Sequence, residues 1–138
     1  MKLAILAIGK PGRGPEATLA ADYAERATLA GRALGLGPME LVDLEPRKTG
    51  KAPEAELILK AAEGAHLIAC DERGRTFGSR AFADHVAELR DRGERRLVFA
   101  IGGADGLDRS VLDAAASTLA FGPQTWPHAL ARAMLAEQ

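Results

Sequence analysis

At 138 residues the chain is long enough for one hydrophobic core and short for two ordinary domains, so a single domain spanning 1–138 is expected. Its composition, 47% apolar with only 4% aromatic, excludes disorder, and a formal net charge of −1 excludes adhesion to nucleic acid through bulk charge. The single cysteine, Cys70, rules out an internal disulfide. No stretch approaches the roughly eighteen apolar residues of a membrane span, and MKLAILAIGKPG shows no secretory cleavage pattern, so a cytoplasmic protein is expected.

Lys2 to Ile8 is an apolar strand ending at Gly9, followed by the loop Lys10-Pro11-Gly12-Arg13-Gly14. Pro15 and Glu16 open a helix to about Leu34, with Leu19, Tyr23 and Arg26 or Ala27 on one face, and Gly35, Gly37 and Pro38 stop it. Met39 to Leu44 alternates apolar and acidic residues as a second strand. The polar, basic connection from Glu45 to Lys51 is expected to be mobile. Pro53 starts a helix to about Glu63, and His66 to Asp71 is a third strand leading into the turn Glu72-Arg73-Gly74-Arg75. Ser79 is placed to cap a helix that buries Phe82, Val86 and Leu89 and ends at Gly93.

Leu97 to Ile101 is a continuous apolar run closed by Gly102-Gly103, the pattern of a strand buried on both faces. Asp108 suits the N-cap of a helix from Ser110 to Ala116, and Ser117 to Gly122 reads as a fifth strand. The loop Phe121-Gly122-Pro123-Gln124-Thr125-Trp126 then meets Pro127, a favoured first residue for a last helix. Alternation of strand and helix five times over specifies an α/β fold, a parallel sheet with helices on both faces. Two glycine-bearing loops therefore reach the carboxyl edge of the sheet, where open α/β sheets bind small ligands.

Most chemistries find no support in these loops. Gly102 to Gly106 is not G-x-G-x-x-G, no Walker lysine-serine pair exists, and the strand ends lack the acidic cluster and lysine of a phosphoacceptor domain. His66, His85 and His128 lie in different elements, so no metal site is expected, and Ser110 and Ser117 lack a nucleophile elbow. Cys70 reads as a small apolar residue at the base of a pocket, since no histidine is placed to activate it. Trp126 suits either an anchor in a core or subunit contact or a wall for a planar ligand. Arg13, Arg47, Lys48, Lys51, Arg73 and Arg75 read as solvated charges, whereas Arg132, one turn into the last helix, is placed to face the ligand loops.

Several stretches taken together carry a resemblance: MKLAILAIGK, Cys70-Asp71 followed by Gly74, Ile101-Gly102-Gly103-Ala104-Asp105-Gly106, and Pro127-His128-Ala129-Leu130-Ala131-Arg132 with Leu135-Ala136-Glu137-Gln138. Over essentially its whole length the chain resembles the ribosomal large-subunit RNA pseudouridine methyltransferase H family, minimal SPOUT methyltransferases. The resemblance implies a homodimer with a carboxyl-terminal trefoil knot. It also implies S-adenosylmethionine as methyl donor and methylation of N3 of a pseudouridine in 23S rRNA within the assembled ribosome. Carried over residue by residue, it puts the cofactor against Cys70, Gly102, Gly103 and Asp105 and against the loop Phe121, Gly122, Pro123, Gln124, Thr125 and Trp126. His128 and Arg132 are the candidates for assisting catalysis, although His128 reads more readily as a helix-start residue bonded to backbone. Relatives continue past Leu-Ala-Glu-Gln with more helix and a tyrosine-histidine-arginine tail that the resemblance ties to RNA contact and catalysis. Two other readings stay open, a nucleotide-binding α/β enzyme and a catalytically impaired ribosome-binding protein.

Overall fold

The computed structural model describes residues 1–10 and 12–138; of the expected elements only the loop residue Pro11 lies outside them. Five strands, β1 (Lys2–Ile8), β2 (Met39–Leu44), β3 (His66–Arg75), β4 (Arg96–Ile101) and β5 (Ser117–Leu119), form one parallel sheet in the order β2-β1-β4-β3-β5. The helices between and after them are α1 (Pro15–Gly31), α2 (Lys51–Ala61), α3 (Ser79–Asp91), α4 (Arg109–Ala114) and α5 (His128–Glu137).

Alternation along each strand sorts the core into two layers. Leu3, Ile5, Leu97, Phe99 and Ile68 point to one face, where Phe82 and Leu89 of α3 and Leu135 and Ala136 of α5 pack on them, with Tyr23 of α1 alongside. Ala4, Leu6, Val98, Ala100 and Leu67 point to the other, under Ala55 and Ile58 of α2 and Val111 of α4. The expected sheet with helices on both faces is therefore what the chain builds. Each fully buried Leu or Ile stabilises it by about 1.5–3 kcal/mol relative to exposure.

Several boundaries differ from expectation for local physical reasons. The first helix closes at Gly31 and passes into a 3-10 turn, Arg32–Leu34, that ends on left-handed Gly35. The second begins at Lys51, so Pro53 sits in its first turn, where a missing N–H costs no intrahelical bond. Ser79 is the first residue of α3 and does not cap it; the N-cap is Gly78, without a side-chain bond. Pro127 holds the extended N-cap position, and α5 starts one residue later, at His128. Asp108 does cap α4, its carboxylate accepting from the Ser110 N–H at 3.0 Å. That helix stops at Ala114 because the Ala116 N–H is already committed to the Leu67 carbonyl at 2.8 Å, the first bond of β5 to β3.

The largest difference positions the site. The third strand runs to Arg75 instead of ending at Asp71, and its register with β5 slips, so that Leu119 is opposed by both Cys70 and Arg75. Residues 71–74 thus arch around the exit of β5, and the Ala120 N–H closes the arch on the Arg75 carbonyl at 2.9 Å. Glycine is required at its crown. A Cβ on Gly74 would stand 2.7 Å from the Leu119 carbonyl carbon and 2.8 Å from its nitrogen. Correspondingly β5 is shorter than the sequence suggests, ending at Leu119 and not Gly122.

Candidate functional site

Strands β4, β3 and β5 lie side by side, and the arch 71–74, the turn 102–107 and the loop 120–127 leave their carboxyl ends together. Between them is a cavity of about 330 Å³, within the range of small-ligand pockets (roughly 300–1,000 Å³). Cys70, Gly102, Gly103 and Asp105 line it from one side, and Phe121, Gln124, Thr125 and Trp126 from the other. His128, at the start of α5, also faces it. Nine of the twelve residues expected at the site are therefore gathered around one cavity.

The other three are placed differently. Gly122 borders a separate apolar groove, and Pro123, exposed at the tip of the loop, lines neither hollow. Arg132 turns away from the ligand loops: its Nη1 donates to Asp43 Oδ1 at the end of β2, with side chains only 13% and 22% exposed. Its Nε is buried without a partner. The expectation that it faces the ligand loops gives way to an ion pair that fastens α5 to the edge strand.

The glycine turn is tight because its two limbs touch. Gly106 N–H donates to the Gly103 carbonyl at 3.0 Å, and the two residues form an antiparallel bridge. A Cβ on Gly102 would approach the Gly106 carbonyl carbon to 2.7 Å and the Leu107 nitrogen to 2.9 Å, so the limb opposite leaves room only for hydrogen. The facing loop is held by two bonds. Trp126 Nε1 donates to the Phe121 carbonyl at 3.2 Å, pinning the loop across its own span, and Thr125 Oγ1 donates to Glu72 Oε2 at 3.1 Å, tying it to the arch. Trp126 is thus both a wall of the cavity and a brace of its loop.

The chemistry of the lining is mostly backbone and apolar. Ile101, Leu107, Leu119 and Ala131 complete the walls, while Lys51 and Arg73 stand at the rim beside Glu72 and Asp71. Arg73 is engaged with Asp71, whose Oδ1 also accepts from the Arg73 N–H at 2.9 Å. Burial pushes the Cys70 thiol up to about 12, so it stays protonated and packs as an apolar group. Among the described residues no group of three or more His, Cys, Asp or Glu side chains is arranged to hold a metal.

Sequence reasoning missed Glu72, Lys51 and Leu107 as members of the site. Glu72 follows an aspartate at an apparent strand end and reads as a turn residue; only the continuation of β3 through the arch turns it toward Thr125. Beside the cavity, and sharing Leu119, Ala120 and Phe121 with it, a groove of about 600 Å³ runs between α1 and α5 past Tyr23 and Met134, with Leu19 and Leu130 exposed at 44% and 37%.

The family model described as "Predicted SPOUT methyltransferase" matches residues 1–138. A relative from Caulobacter sp. (strain K31), named ribosomal RNA large subunit methyltransferase H, is 66% identical, with the match covering 100% of this chain and 90% of the relative. A relative of the same name from Phenylobacterium zucineum (strain HLK1) is 62% identical with the same coverage. Among solved structures, the SpoU methyltransferase AviRb from Streptomyces viridochromogenes, in complex with AdoMet, matches at 14% identity and a TM-score of 0.45, covering 98% of this chain and 55% of that one.

Proposed function

Because this chain belongs to the SPOUT methyltransferase family, we propose that it transfers a methyl group from S-adenosylmethionine to N3 of a pseudouridine in 23S rRNA of the assembled ribosome. The observation that carries the reading is the make-up of the cavity. Its walls are the backbone of residues 102–106 and the apolar side chains of Ile101, Leu107, Leu119, Phe121 and Trp126, and of the two cations that border it, Lys51 and Arg73, Arg73 is already engaged with Asp71. A cofactor with an adenosyl group and no phosphate fits such walls, whereas a dinucleotide or nucleoside triphosphate needs N–H groups and cations directed at its phosphates. The names of the relatives supply the ribosomal substrate.

When bound, the cofactor supplies an electrophilic methyl on its sulfonium. The protein's part is to align that methyl with N3 and to help the imide lose its proton. The turn 102–106 together with Phe121, Gln124, Thr125 and Trp126 of the braced loop would hold the adenosyl group, and Asp105, exposed on the turn, would orient the cationic end. Of the residues that line the cavity, His128 would take the N3 proton through its imidazole. Arg132 acts through structure: paired with Asp43, it fixes the helix that begins at His128.

The arch 71–74 closing over Leu119 and Ala120 supports the reading that the carboxyl-terminal segment threads a trefoil knot. The apolar groove between α1 and α5 supports a homodimer: a second copy seated there would cover Leu19 and Leu130 and abut Phe121 of the cofactor loop. The deciding experiment is isothermal titration of the purified chain with S-adenosylhomocysteine, NAD and ATP, followed by labelled-methyl transfer to ribosomes that carry either pseudouridine or uridine at the target. Selective binding of S-adenosylhomocysteine near one site per chain, with transfer only to pseudouridine ribosomes, is expected. Binding of NAD or ATP alone would overturn the assignment.

A further inference from the structure

We propose that the loops following β1 and β2 form a phosphate-binding strip along which RNA approaches the cavity from one side. The proposal rests on the reading of the chain as an RNA methyltransferase and assigns the surface that grips the RNA backbone. A chain with net charge −1 needs a local concentration of cations to hold a polyanion, and the structure supplies one. Lys10 and Arg13 follow β1, and Arg47, Lys48 and Lys51 follow β2, against the single anion Glu45. These two segments carry a formal +4, which leaves −5 on the rest of the chain.

The fold turns the two segments into one surface. Strands β1 and β2 are parallel neighbours, so both loops emerge at the carboxyl edge, and the Gly9 N–H bonds the Leu44 carbonyl at 3.0 Å where they depart. From β2 the chain must reach Lys51 at the cavity rim, beside the turn that follows β4. Strand β1 lies between β2 and β4, so residues 45–50 lead from the sheet edge past the end of β1 to the cavity. All five cations are exposed, and none makes an ion pair among the described residues. Arg73 and Arg109, by contrast, are engaged with Asp71 and Asp113.

Sign also gives the approach a direction. Asp71, Glu72 and Asp105 line the cavity, and Asp108, just past the turn after β4, is held below its ordinary carboxyl range by the bonds from the Ser110 hydroxyl and N–H, with the charge of Lys51 adding to the shift. An RNA backbone is drawn to the basic loops after β1 and β2 in preference to the acidic side chains that line the cavity. Phosphate contacts of this kind fix position and register without reading sequence.

The test uses the full chain and a fluorescently labelled, unmodified RNA hairpin without pseudouridine, with binding followed by anisotropy across a series of KCl concentrations. In the variant carrying Lys10→Gln, Arg13→Gln, Arg47→Gln and Lys48→Gln, each lost phosphate contact should flatten the plot of log affinity against log salt by about 0.7–0.9. The slope should therefore fall by about 3, with at least a tenfold loss of affinity at low salt. Lys51 is left intact because it lines the cavity. A control variant, Arg26→Gln, Arg32→Gln, Arg92→Gln and Arg95→Gln, removes the same charge from α1 and the amino edge of the sheet and should keep most of the slope. A wild-type slope in the first variant, or an equal loss in the control, would overturn the strip. Titration of S-adenosylhomocysteine into both variants reports folding separately, and should the first variant fail to fold, the pairs Lys10→Gln with Arg13→Gln and Arg47→Gln with Lys48→Gln should each remove about half of the slope change. Failure of the wild type to bind S-adenosylhomocysteine would count against the methyltransferase reading while the salt slope still judged the strip.

Discussion

Replacing Gly102 by alanine adds one methyl group, and its consequence follows from where that methyl would stand. The ideal Cβ lies 2.7 Å from the Gly106 carbonyl carbon, 2.8 Å from its oxygen and 2.9 Å from the Leu107 nitrogen. All three are backbone atoms of the return limb of the turn, so none can rotate aside, and the limb must retreat by several tenths of an ångström. Overpacking of this kind costs about 1–3 kcal/mol. The limb is also a wall of the cavity, so its retreat displaces groups that would contact the adenosyl moiety. If most of the cost falls on the bound geometry, affinity for S-adenosylhomocysteine should drop roughly 10–100-fold, at about 1.4 kcal/mol per decade. Each kcal/mol carried by the folded state instead should lower the Tm by about 4 °C. Isothermal titration with a thermal melt separates the two. Gly103→Ala is the internal comparison: its added methyl meets the Glu54 carboxylate at 2.7 Å, the far end of a flexible side chain that can swing away, so its loss should be several-fold smaller. A folded Gly102→Ala variant with wild-type affinity, or a larger effect at Gly103, would refute the placement of the cavity's tight wall.

Other expectations rest on single contacts. The Cys70 thiol, raised from its ordinary 9.0 to about 12, favours the folded state below pH 9, and this contribution declines by up to about 1.4 kcal/mol per pH unit as pH rises from 9 toward 12. Denaturant melts of wild type and Cys70→Ala between pH 8 and 10.5 should show a steeper alkaline loss in the wild type, and parallel curves would disprove it. Thr125→Val breaks the bond to Glu72 and should weaken S-adenosylhomocysteine by about 2–10-fold, matching a hydrogen bond worth about 0.5–1.5 kcal/mol; a double variant with Glu72→Gln should lose little more. Asp43→Asn and Arg132→Met should each destabilise the fold by about 1–3 kcal/mol, less than a fully buried pair because both side chains keep some exposure, and a double-mutant cycle of melts should show coupling above about 1 kcal/mol. Additive effects would show that the pair contributes nothing beyond its members.

Features that depend on neighbours in the chain were legible in the sequence. The continuous apolar run of β4 announced a strand buried on both faces, and Asp108 followed by Ser110 announced a helix cap, because the groups that satisfy each other lie within a few residues. The order of strand and helix fixed the class of sheet for the same reason. Features that depend on distant pairing were not legible. The extension of β3 to Arg75 is decided by its register with Leu119, and the role of Glu72 by Thr125, 53 residues away. Arg132 was expected to face the ligand loops because sequence shows its distance from Trp126 and His128 but not that Asp43, 89 residues earlier, would claim its guanidinium. The glycines illustrate both cases. That Gly102 ends a strand is visible in the sequence, while its intolerance of a methyl group comes from the Gly106 limb folding back on it.

The same contacts explain how so short a chain can hold a loop still enough to form a site. The loop 121–126 contains no regular structure, yet the residues before it, its two ends and the helix after it are all held. Leu119 and Ala120 before it are enclosed by the arch of β3, Trp126 bonds back to Phe121, and Thr125 bonds to the arch itself. Beyond it α5 is anchored twice, through Leu135 and Ala136 in the core and through Arg132 on Asp43 at the opposite side of the sheet. An unanchored loop would bear the ordering cost when its ligand bound, and affinity would fall accordingly. Here much of that cost is met on folding, by contacts that lie outside the cavity. His128, between the braced loop and the anchored helix, inherits its position from both. The ion pair on β2 therefore bears on the cavity without touching it, and the basic strip begins on the same two strands, so the elements that hold α5 in place also present the surface assigned to the RNA backbone.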